Sequence, residues 1–335
     1  MYDVITLGEP LIRFEPNNHY ERLERTNLLK MALGGAEVNV SSALSLIGKL
    51  NTAIITKLPN NSLGRWIEYY LNSYNVSTEF ITHGGLRVGS YYSEQGSRPR
   101  AASVTYDRKH SSFLDISIND YDFGHSQCAK IFHTTGITLA LHENTMNMAL
   151  DTIKALKKSH TLISFDVNYR SNLWSEEEAR ASIEKILPYV DILFISEESC
   201  RKMFQRTGTL EDILEDFSKT YDIKIIASTQ RKVITQSQHQ FASVIFDRES
   251  HTFFRTEQPY NIEVVDRVGS GDAYIAGVLY GLLSSSFDCE KAQEYGDAFA
   301  AIKCTIPGDI LISNKAEVDS VIQKHKAKIT EDINR

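Results

Sequence analysis

The run Asp266-Arg267-Val268-Gly269-Ser270-Gly271-Asp272-Ala273-Tyr274-Ile275-Ala276-Gly277 places two glycines and a carboxylate at the start of an apolar, periodic stretch. Ile275, Val278, Leu279, Leu282 and Leu283 keep helical spacing, which predicts a helix opening at the glycines. Glycines at such a start let peptide N–H groups approach a ligand, and the helix dipole adds positive potential. Gly269, Ser270 and Gly271 therefore read as an anion hole suited to a phosphoryl group. Asp272 falls in the first turn, where the same dipole is expected to hold its carboxylate ionised. An ionised carboxylate there can take a proton from a hydroxyl while the hole receives the charge of the transferring group. The plainer reading is a glycine turn with Asp272 as a helix cap.

Two further segments carry polar chemistry. In Leu33-Gly34-Gly35-Ala36-Glu37-Val38-Asn39-Val40, paired glycines precede a helix and Asn39 lies in its first turns. That pattern suits close backbone approach to a polyhydroxylated ligand, with Asn39 donating and accepting hydrogen bonds; the alternative is a tight strand-to-helix turn. In Ser164-Phe165-Asp166-Val167-Asn168-Tyr169-Arg170-Ser171-Asn172-Leu173-Trp174, an apolar strand ends in Asp, Asn and Arg. Polar groups at the C-terminal ends of parallel strands lie where α/β folds bind ligands. The planar fork of Arg170 suits a carboxylate or phosphate, and it is expected to reach the end of the ligand remote from the anion hole. A strand-closing Arg–Asp salt bridge is the alternative there. Other motifs fail on inspection. Tyr274 stands where GxGxxG needs its third glycine, no GxxxxGK[ST] or GxSxG occurs, and Met146 breaks HExxH after His142-Glu143.

The elements that must hold these segments alternate. Strands are expected at Val4–Leu7, Ala53–Thr56, Lys130–His133, Leu162–Asp166, Ile192–Ile195 and Lys224–Ala227. Between them lie helices. Val40, Ala43, Leu44 and Ile47 share one helical face, and Ser175 with Glu178 forms a capping-box spacing ahead of Ala179, Ile183 and Ile186. Such alternation predicts a mostly parallel sheet with helices on both faces. Ile12–Asn27, polar and irregular, and Arg87–Arg108, with Tyr91, Tyr92 and Tyr106 in strand-like runs, break the rhythm. Both suit a small β appendage over the sheet ends. The last twenty residues, Ala316–Arg335, read as a charged helix.

Composition narrows the function classes. With 335 residues, 42% hydrophobic and 24% charged, the chain has an ordinary globular balance. A net charge of -7 argues against nucleic acid as a partner, and no apolar run reaches the length of a membrane span. Met1–Leu7 reads as a first strand and not as a signal peptide. Cys128, Cys200, Cys289 and Cys304 form no CxxC pair, which favours free thiols in a reducing cytoplasm over a zinc or disulfide framework.

The three segments, in this order and at these distances, resemble the ribokinase-like (PfkB) family of sugar kinases. Asp266–Asp272 is similar to the family's C-terminal D-T-x-G-A-G-D signature, and Gly34-Gly35 to its N-terminal one. The resemblance runs from Gly8-Glu9-Pro10 to Pro307-Gly308-Asp309. The runs GEPL, GGAEVNV, FDVNYRSNLW and DRVGSGDAYIAG are most similar to the branch acting on 2-keto-3-deoxygluconate. The resemblance implies one α/β domain over residues 1–335, a ribokinase-like three-layer sandwich with a mostly parallel central sheet. It also implies a small β lid from about residues 12–27 and 87–108, through which a homodimer or higher homo-oligomer would form. Asp272 would be the general base, and the backbone of Gly269, Ser270 and Gly271 the anion hole. Gly34, Gly35, Asn39, Tyr91, Tyr106, Arg108, Ile137, Arg170 and Asp309 would contact the sugar acid, while Ser228, Gly269 and Gly271 would face the nucleotide. ATP with Mg²⁺ would be the phosphoryl donor. Arg267 and Ser270 stand where the family has Thr and Ala. Ser196 and Ser199 replace the Asn and Glu of its N-x-x-E motif, so no residue is assigned to the metal. Ser228-Thr229-Gln230-Arg231-Lys232 occupies the place of its nucleotide loop. A kinase for a neutral ketose such as fructose, and a catalytically silent sugar-binding regulator, are the rival expectations.

Overall fold

Strands rich in Ile, Val and Phe build the centre of the molecule, described here from a computed structural model for residues 1–97, 99–121 and 129–328. Among the described residues the strands are β1 (Tyr2–Leu7), β2 (Leu11–Pro16), β3 (Leu29–Gly34), β4 (Thr52–Leu58), β5 (Val76–Ser77), β6 (Ile81–His83), β7 (Gly89–Glu94), β8 (Ser103–Asp107), β9 (Ala129–Thr135), β10 (Leu162–Asp166), β11 (Ile192–Phe194), β12 (Ile225–Val233), β13 (Gln238–Asp247), β14 (Thr252–Arg255) and β15 (Tyr260–Glu263). Eleven of them form one sheet in the order β14-β13-β12-β11-β10-β9-β1-β4-β5, with β15 on β13 and β6 on β4. It is parallel from β5 through β12, for example Val4 opposite Ile131 and Phe165 opposite Leu193, and antiparallel beyond.

The helices are α1 (Ala36–Gly48), α2 (Ser62–Ser73), α3 (Gly136–Leu141), α4 (Glu143–Lys157), α5 (Glu176–Ile183), α6 (Glu197–Lys202), α7 (Leu210–Tyr221), α8 (Ser270–Ser284), α9 (Cys289–Cys304) and α10 (Lys315–Ala327). Successive strand side chains point to opposite faces, which creates two cores. Ile5, Ile163, Phe165 and Leu193 pack with α4, α5 and α7 on one side. Val4, Ile131, Ile192 and Phe194 pack with α1, α8, α9 and α10 on the other. The result is the three-layer α/β sandwich. The Ser175–Glu178 capping box forms as the spacing predicts.

A separate four-stranded sheet, in the order β3-β2-β7-β8, lies over a third apolar cluster that includes Ile12, Leu33, Val38 and Val88. Here the sequence reading needs correction. The polar stretch from Ile12 opens inside strand β2, only residues 17–27 are turns, and its partner strand β3 lies beyond the expected boundary. The strand was hidden because charged Arg13 points inward. It is 1% exposed and sits between the carboxylates of Asp266 (2.8 Å) and Asp309 (2.7 Å). Ser228–Lys232, read as a loop, is instead strand, paired residue by residue with Ala242–Val244 and their neighbours on β13. Cys200, Cys289 and Cys304 are buried free thiols, whereas Cys128 lies outside the described residues. Among the described residues no helix is long and apolar enough to cross a membrane.

Candidate active site

The α8 turn is built for close approach. Gly269 caps the helix at φ 79°, in the left-handed region, and a Cβ there would overlap the carbonyl oxygen of Asp309. Gly271 differs: a Cβ added to it meets nothing within 4 Å. The Ser270 N–H is turned toward the Arg267 carbonyl at 3.2 Å. Helix geometry leaves the Gly271 and Asp272 amides without intrahelical acceptors, so these two are the free donors of the turn.

Asp272 is fixed by α1. Asn39 Nδ2 donates to Asp272 Oδ2 at 2.7 Å, which leaves the buried Asn39 Oδ1 without a protein partner. The sequence reading held Asp272 ionised by the helix dipole. Burial works against the dipole and pushes its carboxyl up to about 7, with the Asn39 bond and nearby Arg170 opposing the rise. Asp166 is raised to about 7 as well, by burial and by the charge of Asp272. Its Oδ1 accepts the Asn168 N–H at 3.1 Å, in a turn that holds Asn168 at φ 35°. Burial also raises the carboxyl of Glu37, whose Oε1 accepts from Thr135 and Thr138, each at 2.8 Å.

Two cavities meet at this turn. One, of about 440 Å³, is roofed by the small sheet and lined by Gly35, Asn39, Tyr91, Tyr106, Arg108, Ile137, Arg170, Gly269, Ser270, Gly271, Asp272 and Asp309. The other, of about 570 Å³, opens between β10, β11, β12 and α6, with Ala227, Thr229, Ser196, Ser199 and Lys202 in its walls. Asp166, Asn168, Arg170 and Gly271 border both.

Several expected site residues sit differently from the sequence reading. Gly34 is not on the wall; a Cβ there would stand 2.6 Å from Asp309 Oδ2, so the glycine makes room for that carboxylate. Asp309 reaches the wall, yet its oxygens are engaged by Arg13 and by the Tyr91 hydroxyl. Arg108 bonds Glu9 through Nε at 2.8 Å and lies over the Tyr106 ring, whose centroid is 5.6 Å from that of Tyr91. Arg170 does not mark the remote end of the cavity. It stands where the cavities join, exposed, and lowers the pKa of both Asp166 and Asp272. Ser228 lines neither of these two cavities. It is 1% exposed, and strand alternation gives the wall to Ala227 and Thr229 instead. Ser196 and Ser199 bond each other at 2.9 Å at the start of α6.

Sequence reasoning missed Arg231 as a wall residue. It comes from the β12 extension and approaches Arg267, and both line the smaller cavity beside the anion hole. The one available signal was Arg267 itself, a charged residue inside a glycine motif. Taken together, the arrangement can hold a hydroxyl-bearing ligand against a carboxyl of raised pKa while a second, anionic ligand reaches the same helix start from the other side.

The chain belongs to the pfkB family of carbohydrate kinases, whose profile matches residues 1–316. It is thus a sugar kinase of the ribokinase-like fold. It is 30% identical over 328 residues to a 2-dehydro-3-deoxygalactonokinase of Haloferax volcanii, covering 98% of each chain. The crystal structure of a 2-dehydro-3-deoxygluconokinase from Thermotoga maritima matches with a TM-score of 0.91 and 31% identity, over 96% of this chain and 98% of that one. A fructokinase from Vibrio cholerae, solved with fructose, ADP and calcium bound, shares the fold at a TM-score of 0.77 and 19% identity, over 96% of this chain and 99% of that one.

Proposed function

We propose that the protein transfers the terminal phosphoryl group of ATP to a hydroxyl of a 2-keto-3-deoxy sugar acid. The best candidate is 2-keto-3-deoxygluconate, giving 2-keto-3-deoxy-6-phosphogluconate. The observation that carries the reading is the place of Asp272, at the glycine-lined start of α8 where two cavities adjoin. The sugar acid would occupy the cavity under the small sheet, and the nucleotide the one beside α6. Asp272 would accept the hydroxyl proton as the oxygen attacks phosphorus and the bond to ADP breaks. A carboxyl titrating near 7 is well matched to that task. The free amides of the α8 turn would receive the charge of the transferring group.

Mg²⁺ takes oxygen ligands and keeps several waters, so it usually arrives on nucleotide phosphates with one or two protein carboxylates. Asp166, bordering both cavities, fits that role. The hydroxyls of Ser196 and Ser199, bonded to each other, fit it less well. Among the described residues no cluster of three acidic, His or Cys side chains forms a cage, which suits a metal brought in on ATP.

The sugar-acid reading is supported by Arg170 in the cavity wall and by similarity to a 2-dehydro-3-deoxygalactonokinase and a 2-dehydro-3-deoxygluconokinase. The test is kcat/KM with ATP for 2-keto-3-deoxygluconate, 2-keto-3-deoxygalactonate and fructose, in wild type and Arg170→Ala. A charge-assisted hydrogen bond is worth about 1.5–3 kcal/mol, so the substitution should cost roughly 10–150-fold more on the acids than on fructose, whose use falls through the effect of Arg170 on Asp272 alone. A wild-type preference for fructose would move the assignment to a neutral-sugar kinase, and equal losses on acid and ketose would take the carboxylate contact away from Arg170.

The small sheet would also serve as a dimer interface. Leu29 and Met31, two residues apart on β3 and so on one face of the small sheet, are each more than two-fifths exposed. Light scattering should give twice the monomer mass, and a Met31→Glu variant should give the monomer mass.

A further inference from the structure

Among the largest fully buried side chains is one the reaction above does not use. Lys303, near the C-terminal end of α9, is 0% exposed. Its Nζ donates to two backbone carbonyls, Asp266 at 3.1 Å and Ile306 at 3.0 Å. Those carbonyls belong to the two segments that shape the α8 turn. Asp266 begins the stretch leading into Gly269. Ile306 begins the loop to Asp309, whose carbonyl abuts Gly269. The same segments are tied elsewhere, since Asp266 accepts from the Val268 N–H at 3.0 Å and the Gly308 N–H at 3.1 Å.

Burying an ammonium is costly, and an apolar side chain of the same length would fill the volume at no such cost. What the ammonium supplies is a pair of donors, one to the buried Asp266 carbonyl and one to the partly buried Ile306 carbonyl, from behind the anion hole. Burial lowers the pKa of Lys303 and Arg13 adds to the fall, while the carboxylates of Asp266 and Asp309 oppose it.

We propose that Lys303 is a positioning residue for phosphoryl transfer, a buried side chain that clamps the Asp266 and Ile306 carbonyls and so sets the free amides of Gly271 and Asp272. The proposal rests on the kinase reading for its effect on rate. It predicts a larger effect on turnover than on sugar binding, because the α8 turn and Asp309 form only one end of the sugar cavity, whose other walls come from α1, the small sheet and the segment after β10.

In Lys303→Met, kcat should fall by roughly 10–100-fold, the scale of a small misplacement of reacting groups. The KM for the sugar acid should stay within about twofold, and amide hydrogen exchange should speed up across residues 266–271 and not in the small sheet. In Lys303→Ala, ammonium chloride should restore part of kcat, and tetramethylammonium chloride at equal ionic strength should not, since it is too large and has no N–H. If Lys303→Met does not fold, the Ala variant prepared in ammonium carries the same comparison. A folded Met variant with wild-type kcat and unchanged exchange, or equal responses to the two salts, overturns the proposal. Failure of the wild type to phosphorylate any sugar acid overturns the functional reading alone, because the exchange measurement still judges the clamp.

Discussion

Two glycine-bearing helix starts face each other across the site, and they are glycine-rich for different reasons. Before α1, Gly35 has φ 122°, and a Cβ would sit 2.5 Å from the Glu9 carbonyl oxygen. The protein itself fills that space. Before α8, Gly269 is pressed against Asp309 in the same way, but Gly271 has nothing within 4 Å and opens onto both cavities. The first turn spends its glycines on packing; the second keeps one for a ligand. Chemistry divides likewise, because α8 carries Asp272 and α1 carries Asn39, which holds it.

The sharpest break in that comparison comes from the base. Asp272→Asn should lower kcat by roughly 10²–10⁴-fold with sugar affinity little changed, as measured by steady-state kinetics and calorimetric titration. A variant keeping more than a tenth of wild-type turnover would remove Asp272 from the role. Gly271→Ala comes next. The added methyl enters open space, so the fold should keep its melting temperature or gain, by up to about 1 kcal/mol of helix propensity. Turnover should nonetheless drop by at least roughly tenfold, because the methyl intrudes where the transferring group must approach the amides. Gly35→Ala should reverse the pattern, with stability lost by about 1–3 kcal/mol from backbone strain, seen in denaturant unfolding. Equal stability of the two alanine variants would erase the distinction.

The smallest effect is a shift in pH dependence. Asp272 must be deprotonated to accept a proton, so kcat/KM for the sugar should rise with pH through about 7. Asn39 donates to the carboxylate and favours its charged form. Asn39→Ala should therefore move that rising limb to higher pH, while the plateau falls only several-fold. An unmoved limb would mean that another group sets it.

Much of the central sheet was legible because its strands are apolar and its helices periodic. The α1 and α8 starts were legible because glycine before a helical stripe has few uses. What stayed hidden depends on distant partners. Arg13 looks like a loop residue until Asp266 and Asp309, more than 250 positions away, supply its counter-charges. Arg231 and Lys232 disguise the far half of β12, whose ladder is written on β13. Arg170 stands out in the sequence as a cation after a strand end, but its position between two cavities cannot be read from the strand it follows. Ser228 was misplaced by one step of strand alternation.

The small sheet has hydrogen-bond ladders of its own, separate from those of the central sheet. Tyr91, Tyr106 and Arg108, which line the roofed cavity, come from this sheet or just beyond its last strand, whereas Asp272 and its glycines come from a helix packed in the main core. On the proposed reading, part of the sugar's surroundings and the chemistry are thus encoded in different parts of the chain. Substitutions at Tyr91, Tyr106 and Arg108 would then change the sugar side without touching the machinery around α8. A laboratory seeking altered taste in this scaffold should randomise those positions first.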